Sequence, residues 1–387
     1  MSIRAGTGAV ERVDVGTLAR AVNRFMDARP VNGSARESTE LDPEEPTERR
    51  LVRRFGLRRI AVKALTIRRV RAGRGFAYLN ADGTCIRDHS IRRRLAKLAV
   101  PPAYRDVLYA RDPSAHLQAV GRDEAGRLQY RYHPAWEKIR ERRKAQRLLR
   151  LLDTLPRIRR AVTQHLACGE PCRDYALAAA VELVGASAIR AGSEPYARER
   201  GTRGAATLLK SNVTVTGETV VLSFRGKGGK RVEKELRAPR LAAAMSRLAT
   251  LPGRRLFQYR NGEGAVYPIR ARDINAFLRS LAGARISLKD FRTLCGTARV
   301  LERLVHITPA QSERQRKRQV LDAIREAADD LVNTPAVCRK SYVHQTVLDA
   351  FEAGALEKYA AAVKTGRKPA RRELLMARVL AAQSESA

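Results

Sequence analysis

Tyr342 stands nine residues after Asn333 and fifty after Arg292, and a phenol in that company suits attack on a phosphate. Its ordinary pKa is near 10, so at neutral pH only about one molecule in a thousand is phenolate and the group needs neighbouring cations. A guanidinium stabilises first the phenolate and then the negative charge growing on a five-coordinate phosphorus, and its planar fork never loses its own charge. Arg190 and Arg292 are the candidates. A leaving deoxyribose 5′ oxygen must gain a proton, which a lysine desolvated beside DNA can supply. Lys227, on the glycine-rich turn of SFRGKGGK, is the expected donor, with Lys230 on the same turn as the alternative. Such parts suit breaking and rejoining a DNA strand without a metal.

Charge points to the same partner. The chain carries 76 Lys and Arg against 40 Asp and Glu, a net charge of +36; its first fifty residues hold 8 basic and 9 acidic, leaving 68 and 31 for the rest. So large an excess repels itself unless a polyanion cancels it, and double-stranded DNA is the expected partner. A membrane is not expected, because there is no run of eighteen apolar residues and the basic groups are not gathered in one amphipathic helix. No small-molecule substrate is called for, and a monomer is expected. Five scattered cysteines and no secretory signal suit free thiols in a reducing cytoplasm, beside the nucleoid.

Neither cofactor nor metal is expected. Cys168 and Cys172 lack a second Cys or His pair at zinc-ligand spacing, and adjacent Asp329 and Asp330 would point about 100° apart on a helix. The GKGGK turn has Arg231 after Lys230 where a nucleotide-binding loop needs Ser or Thr.

The elements that must position these groups follow from pattern. Residues 31–48 are rich in Ser, Pro, Thr and Glu and read as a disordered linker after a short helix near 15–28. Residues 51–140 hold short β-prone stretches, FAYL and DVLYA among them, and read as a small β-rich DNA-binding domain. Apolar spacing in WEKIRERRKAQRLLRLLDTLPRIRRAVTQHL predicts helix, a kink at Pro156, then helix. A larger, mainly helical catalytic domain is expected over 141–370, before a tail at 371–387. It would have a helix at 174–190, three strands through VTVTGETVVLSF and KRVEKEL, and helices at 271–283, 288–305, 309–332 and 335–352. Thr308-Pro309 and Thr334-Pro335 each pair a capping residue with proline at the first helical position. The expected fold class is α+β in two lobes.

The segments GRGFAYLNADGTCIRD, VPPAYRDVLYARDPSAHLQAVGRDEAGRLQYRYHP, AIRAGSEPYARERGTRGAATL, SFRGKGGK, SLKDFRT and NTPAVCRKSY occur in this order. Over roughly residues 57–365 the chain resembles the poxvirus-like type IB DNA topoisomerases in their bacterial form, within the tyrosine recombinase superfamily. The resemblance implies two lobes closing as a clamp on DNA, a 3′-phosphotyrosyl link through Tyr342, swivelling of the free 5′ end and religation. It makes Arg190 and Arg292 transition-state clamps and Lys227 the general acid. Viral members place a histidine where Asn333 stands; an amide still donates to a non-bridging oxygen but does not titrate near neutrality. DNA contacts are expected from Tyr78, His116, Gln118, Arg122, Gln129, Tyr130, Arg131, Tyr132, His133, Arg203, Lys230, Lys289 and Lys340, a mixture suited to phosphates and groove edges. His344 receives no role, and the RQRKR run at 314–318 reads as a solvated helix face. A tyrosine recombinase is the nearest rival, opposed by Lys289 where recombinases carry histidine; a non-enzymatic nucleoid protein explains the charge but not the ordered set.

Overall fold

The computed structural model describes residues 46–360 together with 376, 377, 379 and 380. The chain divides into two compact units, residues 1–143 and 144–387. The helix expected at 15–28 and nearly all of the expected linker lie outside the described residues.

The first unit is built on an antiparallel sheet of five strands: β1 (Ile67–Ala72), β2 (Gly75–Leu79), β3 (Arg105–Tyr109), β4 (Leu117–Arg122) and β5 (Leu128–Tyr132), in the spatial order β2-β1-β3-β4-β5. Left-handed Gly73 makes the two-residue turn of the first hairpin. Val107 and Tyr109 pack to one side with Ile67, Tyr78 and Leu95, while Leu108 packs to the other with Leu65, Leu117 and Val120. This alternation buries both faces around β3. Helix α1 (Pro46–Arg54) already begins within the stretch expected to be linker. Glu48 is the reason: its carboxylate is buried between Arg59, at 3.6 Å, and Arg143, at 2.8 Å. Helix α2 (His89–Lys97) starts where Asp88 accepts from the Ile91 N–H.

Helix α3 (Pro134–Ala167) runs as one helix through Pro156, the residue at which the sequence places a kink. Leu148, Leu151, Leu155, Ile158 and Val162 are all buried in the second unit's core, and that packing holds the helix across the missing N–H. Helix α4 (Arg173–Ser187) is almost wholly buried, so it shows no polar face. After α5 (Glu194–Arg200), strands β6 (Val213–Thr216), β7 (Thr219–Arg225) and β8 (Arg231–Arg237) form the expected three-stranded antiparallel sheet. Val220, Leu222 and Phe224 alternate inward along β7. Helix α6 (Pro239–Ala249) and the short pair β9 (Gln258–Arg260) and β10 (Val266–Pro268) precede α7 (Ala271–Ala282) and α8 (Leu288–Leu304).

Two expected helix boundaries move. Helix α9 (Glu313–Asp330) starts well after Thr308-Pro309, because Gln319 and Arg316 reach back and satisfy the backbone of residues 308–311. The helix expected over 335–352 is two, α10 (Pro335–Tyr342) and α11 (Gln345–Glu352), broken by extended Val343 and His344. The second proline boundary stands, with Thr334 accepting from the Val337 N–H.

Candidate active site

Four segments of the second unit deliver the candidate groups to one place. Helix α4 ends on Ala188, a left-handed residue with φ 52°, and the chain then runs extended to Arg190. Helix α9 ends in a Schellman arrangement: Asn333 N–H returns to the Ala328 carbonyl and Val332 N–H to Asp329. Val332 occupies the left-handed position usually given to glycine, at φ 51°. Its side chain cannot adopt that conformation without strain, so the turn is held by its surroundings. The turn aims Asn333 inward, and Arg190 Nη2 donates to Asn333 Oδ1 at 2.5 Å.

Arg292, on the first turns of α8, is buried, with its guanidinium 4.7 Å from the centre of the Tyr342 ring. It donates to the carbonyls of Ala188 and Leu331, the latter at 3.0 Å. Those are the cap residues of α4 and α9, so two helix C-termini point their negative ends at one cation. No carboxylate among the described residues pairs with Arg190, Lys227, Lys289 or Arg292. Arg292 Nε is buried and has no hydrogen-bond partner among the described residues. A buried donor left unmade costs about 1–3 kcal/mol, more when charged, and an arriving anion would relieve it.

The electrostatics act on the titratable groups accordingly. Burial pushes the Tyr342 phenol up, but Arg292, Arg190, a hydrogen bond from Arg292 and Lys289 together outweigh burial and hold it below its ordinary value. Desolvation, then the Arg190 charge, pushes the Lys227 ammonium down. Lys227 sits at the tip between β7 and β8, where Gly228 and Gly229 both take positive φ. A pocket lined by Arg190, Arg203, Lys227, Lys234 and Arg292 opens beside it. Lys234 shares the inward-facing side of β8 with Val232 and Leu236, a placement that the period-two alternation of KRVEKEL carries but the sequence reading did not use. Its Nζ donates to the Asp330 carbonyl at 2.7 Å, tying the hairpin to the end of α9.

The structure thus gathers Tyr342, Arg190, Arg292, Asn333 and Lys227, with Arg203 and Lys289 beside them. Lys230 and Lys340 are exposed. In the first unit the expected DNA contacts separate. His116 and Gln118 are buried, and the bonds of Gln118 and of His116 Nδ1 are made within the unit, a structural use of two residues expected to contact DNA. His116 Nδ1 accepts from Ile60 N–H, and Gln118 bonds Arg94, Pro113 and Ala115. Tyr78 is likewise buried, edge-on to Tyr109. His133 caps the start of α3 by accepting from Ala135 N–H. Gln129 and Arg122 bond within the β4–β5 hairpin, to Asp123 and Gly126. Tyr130 and Tyr132 are stacked and half-exposed, and Arg131 is exposed. Among the described residues no helix is long and apolar enough to cross a membrane.

Residues 134–368 match the family model for the catalytic core of eukaryotic DNA topoisomerase I, and residues 75–123 match that for the N-terminal domain of bacterial DNA topoisomerase IB. The chain is similar to DNA topoisomerase 1B of Acanthamoeba polyphaga mimivirus, 29% identical over 266 residues that cover 67% of this chain and 79% of that protein. With the first match alone spanning well over half of the sequence, the chain belongs to the type IB DNA topoisomerases.

Proposed function

We propose that the chain relaxes supercoiled DNA by cutting one strand, letting it swivel and resealing it. Tyr342, having lost its proton to solvent as the phenolate that Arg292 and Arg190 favour, attacks a backbone phosphorus through Oη and forms a 3′-phosphotyrosyl ester as the bond to the 5′ oxygen breaks. Arg190 and Arg292 balance the charge that develops on the non-bridging oxygens. Lys227 gives the departing 5′ oxygen its proton, and takes it back when that oxygen attacks in reverse. Asn333 spends Oδ1 on Arg190 and one amide hydrogen on Leu331, at 3.2 Å, which leaves a second hydrogen for phosphate. The phosphotyrosine bond conserves the energy of the broken phosphodiester, so neither ATP nor an obligatory metal enters the cycle. A clamp of both units around the duplex, and action as a monomer on the nucleoid in the cytoplasm, belong to the same proposal.

The observation that carries this reading is the convergence of a lowered-pKa phenol with two guanidiniums that have no carboxylate partner among the described residues. Relaxation of a supercoiled plasmid in EDTA without ATP is the test, with trapping of a covalent protein–DNA adduct under denaturing conditions. A chain that binds DNA, leaves the plasmid supercoiled and yields no adduct would refute it. Relaxation of any plasmid, with no paired recombination sites, separates it from a recombinase.

A further inference from the structure

Tyr342 is the last residue of α10, so its carbonyl is among those a helix end leaves without an intrahelical partner. The carbonyl lies in the core rather than in water. Thr297 of α8, fully buried, donates its hydroxyl to that oxygen at 3.0 Å and accepts the His344 N–H at 3.2 Å. A threonine hydroxyl has one donor and two acceptor sites, and both functions are used here on the two sides of Val343. The adjoining Gly296 lets the segments meet this closely: a Cβ placed there would stand 2.9 Å from the Tyr342 carbonyl oxygen and 3.1 Å from the Tyr342 Cβ. Its φ is not positive, so the requirement is for space alone. Arg292 lies on the same helix, just over one turn before Gly296. One rigid element therefore carries both the guanidinium over the phenol and the seat of the phenol's backbone.

We propose that Thr297, with Gly296 beside it, is a positioning residue for the reaction: its hydroxyl sets where the Tyr342 ring lies relative to Arg292. This rests on Tyr342 being the nucleophile. It requires that cleavage depend on the hydrogen bonds of Thr297 and not merely on its bulk, because a displacement of a fraction of an ångström lowers the chance of in-line attack.

The test compares the unmutated chain with Thr297→Val, which keeps the shape and removes the hydroxyl, and Thr297→Ser, which keeps the hydroxyl. Single-turnover cleavage of a duplex that traps the adduct is read across pH, beside DNA affinity and melting temperature. The expected result for Thr297→Val is cleavage slower by about 10- to 100-fold, in the range that misplacement of a reacting group produces. DNA affinity should stay within about twofold and the rise of rate with pH should move to higher pH, while Thr297→Ser recovers most of the lost rate. A folded Thr297→Val that cleaves within about twofold of the unmutated chain, on the same pH profile, overturns the proposal. So does a Thr297→Ser as slow as Thr297→Val. Should Thr297→Val melt below the assay temperature, Gly296→Ala carries the test: slowed cleavage with retained DNA affinity supports the positioning role, and unchanged cleavage overturns it. Absence of any adduct from the unmutated chain removes the nucleophile assignment and this proposal together, whereas an adduct with indifferent variants removes this proposal alone.

Discussion

At the scale of single residues, the site is a concentration of positive charge that no carboxylate among the described residues pairs with. Arg292 is stabilised by two carbonyls and an aromatic face, a cation–π contact worth up to about 2 kcal/mol when desolvated. Tyr342→Phe keeps that face and removes the oxygen. It is expected to abolish the covalent adduct while retaining DNA binding, measured by denaturing gel and by a shift assay. Lys227 yields a second expectation with a sign. Its ammonium is held below the ordinary lysine value, so the protonated acid is lost as pH rises through that lowered value. Cleavage by the unmutated chain should therefore fall at alkaline pH below the usual lysine range. In Lys227→Met that fall should disappear and the rate at neutral pH should drop by about 10²- to 10⁴-fold. A Lys227→Met variant cleaving at full rate would move the role to another lysine.

Secondary-structure ends do the positioning at the next scale. The ends of α4, α9 and α10 hold Arg190, Asn333 and Tyr342, and two of these use left-handed non-glycine residues. The turn between α9 and α10 depends on the Thr334 cap, so Thr334→Ala should lower the unfolding free energy by about 0.5–2 kcal/mol. A denaturant titration reads this directly. In the first unit, burial and then the Arg59 charge press His116 down to about 4. The unfolded chain binds a proton at the ordinary histidine value of about 6.5 while the folded one does not. Stability from this group is thus full above about pH 6.5 and is lost as pH falls towards about 4, by about 3 kcal/mol at most. Trp136, the single tryptophan, has its ring 4.6 Å from that of His116, and its fluorescence should report unfolding of this unit at mildly acid pH. A fluorescence midpoint in denaturant that stays constant from pH 7 to 4.5 would contradict it.

For the whole molecule the dominant property is charge. Residues 51–387 hold 68 basic against 31 acidic side chains, and exposed guanidiniums such as those of Arg231, Arg237 and Arg325 make surface pairs worth up to about 1 kcal/mol. DNA affinity should accordingly fall linearly on a log–log plot against salt, with a slope of about −0.9 per phosphate neutralised. The plot is expected to be equally steep for unrelated duplex sequences, and a flat one would mean that phosphates are not what the charge contacts.

What was legible in the sequence is what local rules decide. The strand FAYL, the three-stranded sheet and the Thr334-Pro335 boundary follow from side-chain alternation, glycine turns and capping chemistry, which act over a few residues. The ordered set from Arg190 to Tyr342 was readable as residue types suited to one reaction. Their meeting was not derivable from spacing alone, because 143 residues separate Arg190 from Asn333 and only packing closes that distance. Burial, too, was decided by the tertiary structure: His116 and Gln118 carry polar atoms that suit DNA, yet the fold buries both side chains and engages Gln118 and the Nδ1 of His116 within the unit. Pro156 reads as a kink point, and the core packed on either side of it holds one helix through that position. The break after Tyr342 has a slight local signal, the His344 ring that accepts from the Thr346 N–H, but the hydroxyl that completes it lies on another helix, forty-five residues earlier. Short-range chemistry is written residue by residue, whereas the partner of a buried group is chosen by long-range packing, and this site is made of such partners.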